Sequence, residues 1–413
     1  MFLAEKDGKV VFRSADLKQL YNSVEDNIHN YIYDYEGRVE HKRAICYVNL
    51  IDNLVSHFFA SYGLTPHTLP KECLFRVKRY ELVRKLLPFS SEIQLSITAL
   101  RLSDLDELVS TLKDIKLYLT SGRRSRIITK LNRLGFFQED LTTMVRRIIP
   151  NLDLVFETLI EGLKAHYNEF YSEYWRSVED RLIDIARRQE RILNASKVIE
   201  TVEALSGVKL PETIFFQPID AYRYGGRIYF VTLEDEGTII VTITSGNAST
   251  LTCIIEAAHE LSHIPINPIE DSRAFTEAVD VLSELVYEDV YKLAYEYAYK
   301  CKDEEFKRVL SDKKLFREEV VLPLVCGSLL ELLTTVLQYK VVECLLGTIG
   351  PIHPFMRLGP KLFKTAVKVW KDNLEETVED LVNEILKSED LKKDLLQMVR
   401  HISVFSQNDD NTI

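Results

Sequence analysis

Between Ser14 and Ser206 the apolar positions recur with the period of a helix. From His41 to Tyr62 the set Ile45, Val48, Leu50, Ile51, Leu54, Phe58 and Phe59 lines one face. The breakers Gly63-Leu64-Thr65-Pro66, Pro88-Phe89-Ser90-Ser91, Ser121-Gly122 and Ile149-Pro150-Asn151 divide this half into successive amphipathic segments. After Asn151 the chain carries Gly162 and then no glycine or proline until Gly207. That spacing predicts one or two long helices through Phe170, Tyr174, Trp175, Leu182, Ile185 and Leu193.

At Gly207 the pattern changes. Thr213–Gln217, Arg227–Leu233 and Thr238–Thr244 are short, β-branched and aromatic, punctuated by Pro218, Gly225-Gly226 and Gly237, which predicts three strands with Glu234–Gly237 as the last turn. The loop Ser245–Thr250 offers Ser249 or Thr250 as the N-cap of an apolar helix that must stop near Pro265. Helical pattern then continues to about Phe405. The predicted class is mainly α with a small β-sheet (α+β): a helical domain over 1–206, a mixed domain over 207–405 and a polar, disordered tail over 406–413.

Composition narrows the function classes. The 413 residues carry 52 Lys+Arg against 63 Asp+Glu, a net charge of −11. That balance argues against a general nucleic-acid binder, which needs a basic face for phosphates. From Thr120 to Pro150 the basic residues Arg123, Arg124, Arg126, Lys130, Arg133, Arg146 and Arg147 face only Glu139 and Asp140, and a solvated helix face accounts for them. The six cysteines form no C-x-x-C pair, which predicts reduced, mostly buried thiols. Glu5, Lys6, Asp7 and Lys9 interrupt the first ten residues where a secretion signal needs an apolar run, so a cytoplasmic location is expected. Val320–Gln338 is nearly all apolar, but Glu331 within it and Lys340 and Glu343 beyond it favour a buried core helix over a membrane span.

The chemistry concentrates in His259-Glu260-Leu261-Ser262-His263, an H-E-x-x-H on the predicted helix. Histidines four apart project about 40° from one another around a helix axis, so both imidazoles can hold one metal ion. Glu260 lies roughly 100° from His259, beside the ion, where a carboxylate can take a proton from water and return it to a leaving amine. Ile254, Ile255, Ala257 and Ala258 bury the helix, making unpartnered histidines costly. Glu277, Glu284, Glu288, Glu270 and Asp271 follow as candidates for a third ligand.

With Phe275–Val286, where Glu277 is followed by Ala278, Val279 and Asp280, this stretch resembles the gluzincin metallopeptidases over about 238–288. The resemblance implies a zincin-like catalytic domain in the second half. It also implies Zn²⁺ held by His259, His263 and Glu277, with Asp280 orienting a histidine. Thirteen residues separate His263 from Glu277, whereas Glu284, twenty-one after His263, has the commoner family spacing, so both stay open. The family also implies an edge strand just before the metal helix, here Thr238–Thr244, with Ser245–Asn247 over the cleft. For the oxyanion donor the candidates are His353, in a Gly/Pro loop, then Tyr287, Tyr222 and Tyr224.

The expected function is zinc-dependent hydrolysis of peptide or unfolded-protein substrates with Glu260 as general base, and with neither nucleic acid nor membrane as partner. By analogy with helical oligopeptidases, the N-terminal half would wall the site. Two other readings are a helical interaction protein with a structural or absent metal, which predicts a fourth protein ligand, and a membrane-associated metalloprotease. No G-x-x-x-x-G-K-[ST], G-x-G-x-x-G or G-x-S-x-G occurs to support nucleotide or serine-hydrolase chemistry.

Overall fold

The computed structural model describes residues 2–6, 9–14, 42–64, 73–149, 151–221, 227–230, 239–244, 250–301, 304–347 and 353–402. Mainly helical with a small sheet, the fold class is as the pattern predicts. The chain forms two compact units, each drawn from separated segments: Glu25–Lys197 with Leu210–Glu260, and Met1–Val24 with Val198–Lys209 and Leu261–Ile413. A single boundary at Gly207 therefore does not describe the division. The cause is a strand that the first half lends to the sheet.

In Met1–Val24, β1 (Phe2–Lys6) and β2 (Lys9–Ser14) pair antiparallel. In the first unit, β3 (Ala44–Cys46) lies inside a stretch whose apolar period predicts helix from His41. It pairs in parallel with β4 (Ile214–Ile219), which pairs in parallel with β6 (Ile239–Thr244), and β5 (Arg227–Phe230) returns antiparallel to give the order β3-β4-β6-β5. The strand before the H-E-x-x-H helix is thus interior, not the expected edge, because β5 covers its free side. Helix α1 (Leu50–Ser61) starts only after Asn49, whose side chain accepts from the Ile51 and Asp52 N–H groups at 2.8 and 3.0 Å.

A 3₁₀ run (Lys78–Phe89) leads into α2 (Ser90–Leu100), α3 (Leu105–Ser121), α4 (Arg126–Arg133), α5 (Glu139–Ile148) and α6 (Leu152–His166). One π-helical turn, Tyr167–Tyr171, carries α6 into α7 (Ser172–Ser196), which ends at Lys197 with φ 57°. The long predicted helix is therefore real, with two local defects. Leu54, Phe58 and Phe59 of α1 pack with Leu112 and Ile115 of α3 and Val155, Phe156 and Leu159 of α6. A Cβ at Gly162 would come within 2.9 Å of Phe58, so that helix contact needs glycine.

The other face of α1 buries Asp52, Asn53, Ser56 and His57. Gln217 Nε2 and Thr98 Oγ1 donate to Asp52 at 2.8 and 3.0 Å, and the Asp220 N–H donates to Asn53 at 2.8 Å. Asp220 itself accepts from Tyr174 and Arg181. His57 Nδ1 and His166 Nε2 share a hydrogen bond of 3.0 Å among the rings of Phe58, Phe170, Tyr171 and Tyr174.

The second unit contains α8 (Val198–Ser206) and receives α9 (Thr250–Ile266) from Leu261 onward. A 3₁₀ turn, Asn267–Asp271, leads to α10 (Arg273–Cys301), α11 (Glu304–Ser311) and α12 (Lys313–Phe316). A π-helical turn, Arg317–Val321, opens α13 (Leu322–Leu346), followed by α14 (Pro354–Leu358), α15 (Pro360–Val369), α16 (Leu374–Lys387) and α17 (Glu389–Ile402). Helix α13 packs against α8, α10, α15 and α17. By length and composition 313–346 could cross a membrane, yet 56% of its most apolar stretch is buried inside the protein, as in a core helix. Five described cysteines are free thiols, but only Cys253 is buried, fewer than expected. Tyr222, Tyr224, Ser245–Asn247, Ser249 and the 406–413 tail lie outside the described residues.

Two buried groups of the first unit oppose each other in acid. The pKa of His166 is held down at about 3 by burial and then by His57. Below the ordinary 6.5, the unfolded chain binds a proton that the folded one refuses, so stability falls as pH falls. Burial pushes Asp52 up to about 6 from 3.8, so over that window the folded chain takes the proton first and stability rises as pH falls. The sequence has two tryptophans, and Trp370→Phe leaves Trp175 to report on the first unit. In that background, Asp52→Asn should steepen the loss of stability to urea between pH 6 and 4, measured by tryptophan fluorescence. An unchanged slope would contradict the assignment of Asp52.

Candidate metal centre

Helix α9 buries Leu251, Ile254, Ala257, Ala258 and Leu261, and this apolar surface fixes the rotation of the helix. His259 and His263 stand one turn apart and are both half-buried, while Glu260 between them is buried. The carboxylate that meets them is Glu331, from the middle of α13. One ligand atom each from His259, His263 and Glu331 lies within 4.8 Å of the others. Because His263, Glu331 and His353 all belong to the second unit, their geometry is internal to it. His259 belongs to the first unit, one turn earlier on α9.

The hydrogen bonds assign a role to each nitrogen. His263 Nε2 is 3.6 Å from Glu331 Oε2, while its Nδ1 is 3.2 Å from Thr334 Oγ1. His353 Nε2 is 3.1 Å from Glu331 Oε1, and its Nδ1 accepts the Phe355 N–H at 3.3 Å, capping α14. An accepting Nδ1 leaves the proton of a neutral imidazole on Nε2. His353 therefore offers Glu331 a donor, not a lone pair to a cation. The carboxylate is 23% exposed, so these imidazoles supply much of its solvation.

The structure does not bring Glu277 to the histidines. Its side chain is 62% exposed and accepts from Arg273 Nε at 2.6 Å. Glu284 and Asp280 instead hold Arg317, at 2.7 and 3.0 Å. The reason is rotational: α10 buries Phe275, Ala278, Val279, Leu282, Val286 and Val290, leaving Glu277, Asp280, Glu284 and Glu288 on the outer face. Exposed Glu270 accepts from Cys326 Sγ at 3.3 Å, and Asp271 is also exposed. Tyr287 is buried against Tyr291 and Phe316, with Lys313 over its ring.

Sequence reasoning placed His259, Glu260, His263 and His353 but missed Glu331, Thr334 and Thr335. The available signal was the isolation of Glu331 in the apolar run Val320–Gln338. An acid there needs a partner, and two are histidines. No protein-family model, curated protein or solved structure matches the chain.

Two nitrogens and one carboxylate oxygen at this separation match the usual donor set of a zinc site with room for another ligand. Glu331→Gln should weaken zinc binding by at least about 100-fold, beyond the 10–100-fold typical of changes to residues that only orient ligands. Glu277→Gln should leave it unaltered. Competition with a chromophoric chelator measures both, and the reverse pattern would restore Glu277 as the ligand.

Proposed function

We propose that the chain is a zinc-dependent peptidase in which His259, His263 and Glu331 hold the metal and Glu260 is the general base. The observation that carries this reading is the approach of Glu331 to the two histidines of an H-E-x-x-H helix to within 4.8 Å. Zinc held there supplies, when bound, a Lewis acid that activates water near neutral pH and polarises a carbonyl.

The chain's own groups do the rest. One turn of α9 sets both imidazoles on one side, and the same turn places the Glu260 carboxylate beside them, able to take a proton from water and pass it to the leaving amine. Burial of Glu260 keeps bulk water from competing for that proton. With its Nε2 proton turned to Glu331, His353 orients the carboxylate and does not serve as the oxyanion donor first expected. The same proton argues against His353 as a fourth ligand, which a purely structural metal would require.

Peptides and unfolded proteins are the substrates this chemistry suits. Glu260→Gln should lower cleavage of a fluorogenic peptide or unfolded casein by about 10²–10⁴-fold, the usual worth of a positioned general base. Zinc content should remain at one per chain. Cleavage that survived the substitution with zinc in place would remove Glu260 from this role.

A further inference from the structure

We infer that Thr334, Thr335 and His353 are positioning residues that fix which nitrogen of His263 and which oxygen of Glu331 face the metal. This rests on the zinc reading above and adds to it a layer of hydroxyl and imidazole partners behind the ligands. Thr334 and Thr335 are adjacent on α13, so their side chains leave the helix about 100° apart and reach two different histidines. Both are fully buried, which keeps solvent from competing for their hydroxyls.

Thr334 acts on His263. For Nε2 to carry a lone pair towards the metal, Nδ1 must carry the proton, and the Thr334 oxygen 3.2 Å away is placed to accept it. The tautomer that binds zinc is thereby selected before the ion arrives. Thr335 acts one step further back. Its hydroxyl spends its one proton on the Glu331 carbonyl at 2.7 Å, and its oxygen packs 3.1 Å from His353 Nδ1 beside α13. The Phe355 N–H on the same nitrogen commits the Nε2 proton of His353 to Glu331 Oε1, at 3.1 Å. One carboxylate oxygen thus faces His353, and Oε2 is the atom on the His263 side, where a metal held by that histidine would meet it. Glu331 would then offer a metal one oxygen rather than two.

The experiment uses the full chain, with zinc affinity from chelator competition and the visible spectrum of the Co²⁺-substituted protein as readouts. Thr334→Val keeps the shape and removes the acceptor; it should weaken zinc by roughly 10–100-fold, the usual effect of removing a ligand's hydrogen-bond partner. Thr334→Ser should restore affinity. His353→Leu should weaken zinc over the same range and change the Co²⁺ spectrum as Glu331 closes to two-oxygen binding. His353→Gln, whose amide can still donate, should keep the parent spectrum. The inference is overturned if the parent binds one zinc while Thr334→Val and His353→Leu keep its affinity and spectrum, even if their melting temperatures fall. A parent chain that binds no zinc would instead defeat the metal reading itself.

Discussion

A carboxylate in the middle of an apolar helix has to be met by donors or by cations, and in the second unit Glu331 is that carboxylate. Desolvating such an ion costs several kcal/mol, whereas a single hydrogen bond to a charged group returns only about 1.5–3 kcal/mol. One partner is therefore not enough. His353 gives Glu331 an N–H at 3.1 Å, and His263 stands 3.6 Å away on the other oxygen. Because α13 runs through the core of its unit, the acid also meets the start of α14 through His353. Packing places the acid, and the acid in turn organises the histidines.

The sequence carries most of the helical architecture because amphipathic period is a local property. The stretch from Asn151 to Gly207 is helical as its lack of breakers implies, and the three strands after Gly207 are present. What escapes is non-local. Strand β3 is three residues long, and its pairing with β4 lies some 170 residues away, a relation that local pattern cannot encode. That pairing also removes the apparent boundary at Gly207. The hairpin of β1 and β2 had a usable signal in the Asp7-Gly8 dipeptide between alternating residues. The acid beside the two histidines escaped the sequence for a different reason. Spacing along the chain favoured α10, but the apolar stripe through Phe275, Leu282 and Val286 already turns Glu277 and Glu284 to the outside. The period that located the helix also excluded its acids.

The two histidine pairs of the molecule show why residue type alone does not define a site. His57 and His166 meet ring to ring at 3.0 Å inside an aromatic cage. One nitrogen of each is spent on the other, and burial holds His166 neutral. That arrangement is a buried core pair whose rings bond each other. His259 and His263 are instead separated by a helical turn, half-buried, and directed at a carboxylate. Where the first pair closes on itself, the second leaves nitrogens converging on a shared point.

The end of α9 adds an electrostatic term to that convergence. The helix runs to Ile266 through Pro265, and a proline has no N–H to return to the carbonyl four residues earlier, that of Leu261. His263 lies in this last turn, where the unpaired carbonyls of a helix carry about half a negative charge. A cation near His263 is favoured by that field, whereas the proton-carrying, positively charged form of the imidazole would compete for the same stabilisation. The Thr334 hydroxyl lies on Nδ1 of His263, and Nε2 faces Glu331. Proline, helix end, hydroxyl and buried acid thus act on one point in space. Each has an ordinary structural origin, but their coincidence at the second histidine of H-E-x-x-H is what a metal site requires.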